Sequence, residues 1–132
     1  MLSEVVSDFR TPQQLRELFE LAAYCLAPGA RLVFNTFLPR GDYTPDQAAR
    51  EFGQQMYTSI FTRDEMSPAA AGLSLELVAD DPVYNYEKEH LPPGGWPQTS
   101  WYEGWVSGQD VFTTERDKSP IEMRWLVYQK AR

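Results

Sequence analysis

The stretch Leu26-Ala27-Pro28-Gly29-Ala30-Arg31-Leu32-Val33-Phe34-Asn35-Thr36-Phe37 constrains the fold most, because it holds a helix end, a turn and the start of a buried strand. Upstream, Leu15, Leu18, Phe19, Ala22, Cys25 and Leu26 recur at spacings of three and four, with Arg16, Glu17 and Glu20 on the other side. That is the pattern of an amphipathic helix. Thr11-Pro12-Gln13-Gln14 supplies its start: a capping hydroxyl, a proline at the first helical position and a glutamine able to reach back. Pro28-Gly29 stops it. Leu32, Val33 and Phe34 then form the unbroken apolar run expected of a strand covered on both faces, as in a parallel sheet. We expect this strand at the centre of the sheet.

Further elements follow in alternation. Thr44-Pro45-Asp46-Gln47 repeats the start signal, and Ala48, Phe52, Met56 and Ile60 make a second apolar stripe. Thr62-Arg63-Asp64-Glu65 is a third capping box, opening a short helix that should end near Gly72. Residues 73–78 and 121–128 alternate in part, which suits strands near an edge or antiparallel to a neighbour. Residues 80–119 between them are rich in proline, glycine and aromatics, so they are expected to form a loop-rich aromatic insertion within a single domain spanning 1–132. Asp80, Asp81, Asp110, Glu115 and Asp117 are expected to be solvated loop carboxylates.

Charge and composition narrow the function. The chain has 132 residues, enough for a substantial core, and a formal net charge of −7. Binding nucleic acid by counterion release needs a basic face, which this balance argues against. The lone Cys25 excludes an intramolecular disulfide and makes a thiol metal cluster unexpected; on the apolar side of its helix it should be a small core residue. No apolar run approaches the roughly 20 residues of a membrane span, and the first residues lack a basic stretch followed by an apolar core. A cytoplasmic protein with no membrane partner is expected.

The order of these elements resembles the C-terminal half of class I S-adenosylmethionine-dependent methyltransferases, which are Rossmann-like α/β proteins. There a helix ends in a motif like L-x-P-G-G-x-L-V-F before the fifth strand, and an antiparallel hairpin closes the sheet. Leu26 to Phe34 match that motif with Ala30 in place of its second glycine, and Leu2-Ser3-Glu4-Val5-Val6 looks like the fourth strand and the residues past it. The resemblance implies a partial sheet without the first strands, and S-adenosyl-L-methionine as cofactor, with Glu4 and Ser7 near it. Asp8 follows in the same segment, where the family contacts the cofactor's methionine portion or the substrate; without the first strands, a solvated N-terminal tail is the other reading of these residues. The family's cofactor cradle, a glycine-rich turn with an acidic residue further on for the ribose, has no counterpart; Gly-x-Gly occurs nowhere. The chain would then be the substrate-side portion of a small-molecule methyltransferase, inactive alone. The alternative is a free-standing, non-catalytic α/β domain for ligand binding or dimerisation. In either case an uncovered strand edge favours a homo-oligomer or a missing N-terminal half as partner.

Candidate site residues come from position and chemistry. Asn35 and Thr36 interrupt the apolar strand near its C-terminal end, where open α/β sheets place ligands. They line a substrate pocket or satisfy the next loop. Trp96, Trp101, Tyr102 and Trp105 concentrate large rings with polar tips in the insertion. A substrate wall, a subunit interface and plain packing onto the sheet all suit them. His90 stands alone among surface-like acids and reads as an exposed histidine, neither a base nor a metal ligand.

Overall fold

A computed structural model describes residues 1–92 and 120–132. Trp96, Trp101, Tyr102, Trp105, Asp110, Glu115 and Asp117 lie outside the described residues. Helix α1 spans Pro12–Cys25, and Gln14 Oε1 accepts from the Thr11 amide at 3.2 Å, as the start signal predicts. Its last carbonyls are capped from far away: Lys130 Nζ donates to Leu26 O at 2.9 Å and also to Ala23 O, placing a cation at the negative end of the helix. Gly29 makes the turn with φ of 81°, a backbone state that disfavours any side chain. Strand β1 then runs Arg31–Pro39. Cys25 corrects the sequence reading: it is exposed, because at the last turn Leu26 turns inward to the core instead.

Helix α2 covers Gln47–Gln55 and starts later than Thr44. The cap is Asp46, whose Oδ1 accepts from Ala49 N at 2.8 Å; a carboxylate is the stronger capping acceptor, so it prevails over the threonine before Pro45. The expected stripe is also cut short. Ile60 lies beyond the helix, in a parallel bridge with Phe37. Helix α3, Arg63–Ala70, has the full box, with Glu65 Oε2 accepting from Thr62 N at 2.8 Å, and Gly72 follows at φ of 74°.

Strand β2, Leu75–Pro82, extends into the segment expected to be an irregular connection, and helix α4, Val83–His90, continues it. Strand β3 is Ile121–Lys130. The sheet order is β1-β3-β2, with both pairings antiparallel, so β3 takes the centre and β1 does not. The unbroken apolar run of β1 nonetheless reflects its environment, since both its faces are covered. Beyond it, the N-terminal segment contributes a single parallel bridge between Leu2 and Phe34 in place of a full strand. The fold is thus a small α/β arrangement, a three-stranded antiparallel sheet flanked by helices.

Each face carries its own core. Phe34, Leu32 and Leu38 of β1 meet Phe19 and Leu15 of α1, Met66 and Ala69 of α3, and Tyr128 of β3. Three rings interlock there: Phe19 lies 4.7 Å from Tyr128 and 6.0 Å from Phe34, centroid to centroid, while Phe34 and Tyr128 stack at 6.0 Å. The opposite face packs Phe37, Met123, Ile121, Ile60 and Val83. At the strand ends Asp80, far from being a solvated loop acid, pairs with Arg124 and, at 3.0 Å, with Arg63; Glu122 pairs with Arg124 and, at 3.2 Å, with Arg40. Side-chain alternation places Asp80 opposite an arginine-bearing strand, which sequence spacing does not reveal.

Candidate functional site

The C-terminal half of β1 leads to a pocket of about 230 Å³ lined by Glu4, Ser7, Asp8, Phe37, Met56, Tyr57, Thr58 and Met123. Phe37 and Met123 are opposite one another on β1 and β3 and form an apolar floor. Ser7 and Thr58 are buried beside it, while Glu4, Asp8 and Tyr57 are exposed at the rim. Asp8 belongs to a short 3-10 turn, Val6–Asp8, that follows the Leu2 bridge.

Two rim residues adopt left-handed backbone. Glu4 has φ of 58°, and it is held there from both sides: its amide donates to Asn35 Oδ1 at 2.6 Å, and its carbonyl accepts from Ser7 Oγ at 3.1 Å. Tyr57 has φ of 57° and ends α2. Thr58 N reaches Gly53 O at 2.8 Å and Tyr57 N reaches Gln54 O at 3.3 Å, the paired bonds of a Schellman stop, whose left-handed position usually takes glycine. On the outside, the Arg10 guanidinium lies 5.3 Å from the Tyr57 ring centroid and donates to Gln54 O.

The residues singled out in the sequence divide among different places. Glu4 and Ser7 come together in the pocket lining. Asn35 stands one layer behind: it is 4% exposed, and its amide nitrogen faces Ser3 Oγ at 3.5 Å and Met123 Sδ at 3.4 Å. Thr36, the next residue along the strand, points to the opposite face, where its buried Oγ1 has no partner among the described residues. The structure does not bring it to the pocket. His90 is exposed at the end of α4, with Nδ1 2.8 Å from Tyr86 O and its ring stacked on Tyr86. Met56, Tyr57, Thr58, Phe37 and Met123 are pocket residues that the sequence reading misses. The one local signal is Tyr57 just past the last turn of a helix, at a place where glycine is customary.

Removing the Asn35 amide tests the support of this corner. Asn35→Ala leaves the Glu4 amide without its buried acceptor, and we expect a loss of about 1–2 kcal/mol in unfolding free energy by urea titration. Faster hydrogen exchange at the Glu4 amide should accompany it. Unchanged stability and exchange would show that Asn35 does not hold the corner.

These features define a small α/β domain with a mixed apolar and acidic pocket beside the C-terminal half of its first strand. No family model matches the sequence, and no curated protein matches it. Among solved structures it is similar to the [4+2]-cyclase SpnF, at 12% identity and a TM-score of 0.44, over 91% of this chain. The chain spans 44% of the length of that protein. Among the described residues no helix is long and apolar enough to cross a membrane, and no three His, Cys, Asp or Glu side chains gather as a metal site.

The nucleoside of S-adenosylmethionine needs a close backbone approach and an acid for its sugar. Among the described residues no glycine lines the pocket, and the cleft beside it, which shares Tyr57 and is lined by Arg10, Glu51, Gln54 and Gln55, has no glycine turn either, so the close backbone approach that the cofactor's nucleoside needs is not met here.

Proposed function

We propose that the chain is the substrate-side portion of an S-adenosylmethionine-dependent methyltransferase acting on a small molecule, with the cofactor's cradle supplied by polypeptide outside these residues. The observation that carries this reading is the pocket itself. It opens beside the C-terminal half of β1, at Phe37, on the strand fed by the helix and Pro28-Gly29 turn, and is lined by Glu4, Ser7 and Asp8, which follow the parallel bridge from Leu2. Open α/β sheets put their ligands at such strand ends. The antiparallel pair β2 and β3 closing the sheet further supports it. The portion contributed here would orient the acceptor, since in-line methyl transfer is helped mainly by positioning of the two reactants.

Intact mass and calorimetry with S-adenosylhomocysteine, both on the protein purified from its source, test this directly. We expect a polypeptide or complex heavier than the 15.2 kDa of this chain, binding one equivalent. A native protein of 15.2 kDa that gives no heat overturns the reading and leaves a non-catalytic binding domain in its place. A native protein of that mass that does bind would refute only the separate cradle.

A further inference from the structure

We propose that the pocket beside Glu4 and Tyr57 binds a protonated amine carrying an apolar group of aromatic size. Binding rests on the pocket alone; that the amine is the methyl acceptor rests on the proposed function. Phe37, Met56 and Met123 supply ring and thioether surface for the apolar group, and Glu4 and Asp8 put two carboxylates at the mouth. No lysine or arginine is among the lining residues. Arg10, the guanidinium beside the site, is engaged outside it with Gln54 O and the Tyr57 ring. An anion inside the pocket would therefore meet the two carboxylates without a cation in the lining, Arg10 lying against the Tyr57 ring from outside, whereas a cation meets carboxylates and the face of the Phe37 ring.

Tyr57 gives the second, independent reason. At the left-handed position of the α2 stop, glycine satisfies the backbone better than any residue with a Cβ. Tyr57 is 64% exposed, so core packing does not account for it. A side chain kept where the backbone disfavours it, at the rim of a pocket, points to contact with a ligand. Glu4, which lines the same pocket, also has left-handed backbone, fixed by Asn35 and Ser7.

The test uses the chain labelled with methyl-13C methionine and three probes: phenethylamine, 2-phenylethanol and phenylacetate, which are cationic, neutral and anionic at neutral pH. Met56 and Met123 report the pocket, and Met66, in the core on the other sheet face, is the internal control. Phenethylamine should shift Met56 and Met123 but not Met66. Binding of 2-phenylethanol should be about fivefold weaker, since two exposed carboxylates act through solvent, and phenylacetate weaker still. Glu4→Gln should shrink the preference for the amine. Tyr57→Gly should weaken amine binding by a similar factor while the melting temperature stays level or rises, a combination that a merely structural tyrosine would not give. Equal binding of amine and alcohol, a preference for phenylacetate, no shift at either pocket methionine, or unaltered binding in Tyr57→Gly each overturns the proposal. Amine binding in a native protein that takes no S-adenosylhomocysteine would keep the pocket and remove the acceptor role.

Discussion

Phe34→Ala is expected to lower the unfolding free energy by about 3–5 kcal/mol, the range for truncating a fully buried phenylalanine. Small domains have only about 5–15 kcal/mol in all, so the variant should be marginal or largely unfolded at ambient temperature. The reason is positional. Phe34 is 0% exposed, sits in the middle of β1, and touches both remaining members of the aromatic trio, Phe19 from α1 and Tyr128 from β3. Its loss opens a cavity where a helix and two strands meet, and neither ring is free to collapse into it because each is held by its own element. A leucine side chain in the same place fills most of the volume, so Phe34→Leu should recover a large share of the loss. Urea titration with circular dichroism reads both. A Phe34→Ala variant within about 1 kcal/mol of wild type would show that the trio is not the centre of the core.

How much of this can be seen in the sequence depends on which interactions are local. The helix starts at Thr11 and Thr62 are legible because a capping box is satisfied within four residues. The buried character of Leu32 and Phe34 is legible too, as part of an apolar run, although Val33 between them is only half-buried. Strand order is not. Ile121 to Tyr128 alternates as an antiparallel strand should, yet alternation carries no information on whether such a strand lies at an edge or, like β3, between two partners. The start of α2 is ambiguous for a local reason, two nearby capping residues competing across Pro45.

The candidate site shows the same division. Glu4 and Ser7 are singled out by the resemblance and by nothing local in the sequence; both line one pocket. Asn35 and Thr36 stand out as a pair because both are polar in an apolar strand, but consecutive strand residues face opposite ways, and only Asn35 reaches the Glu4 corner. The contribution of Tyr57 depends on where α2 stops, and the contribution of Met123 on which strand pairs with β1; both are tertiary facts.

Alkaline pH should expose the other end of the aromatic trio. Burial pushes the Tyr128 hydroxyl up to about 12, from an ordinary value of 10.0, and the negative charge of Asp80 adds to the shift. Tyrosine is neutral when protonated, so a raised value in the fold means that the folded state holds its proton more tightly than the unfolded chain does. Below pH 10 both states keep the proton, and the group contributes no pH dependence. Between pH 10 and about 12 the unfolded chain ionises while the fold does not, so stability falls as pH rises and stops falling from this cause above about 12. A shift of this size corresponds to about 2 kcal/mol once the screening of Asp80 by solvent is discounted. Tyr43, raised by burial and by Asp46, adds a contribution of the same sign. Tyr128→Phe keeps the ring against Phe19 and Phe34 but has no proton to lose. The decisive quantity is therefore the difference between wild type and Tyr128→Phe in urea stability across pH 9 to 12, in which Tyr43 and the lysines cancel. That difference should move steadily in favour of the variant from pH 10 upward. Parallel curves would mean that the Tyr128 hydroxyl ionises as readily in the fold as in the unfolded chain, and hence that water reaches it between β2 and α3.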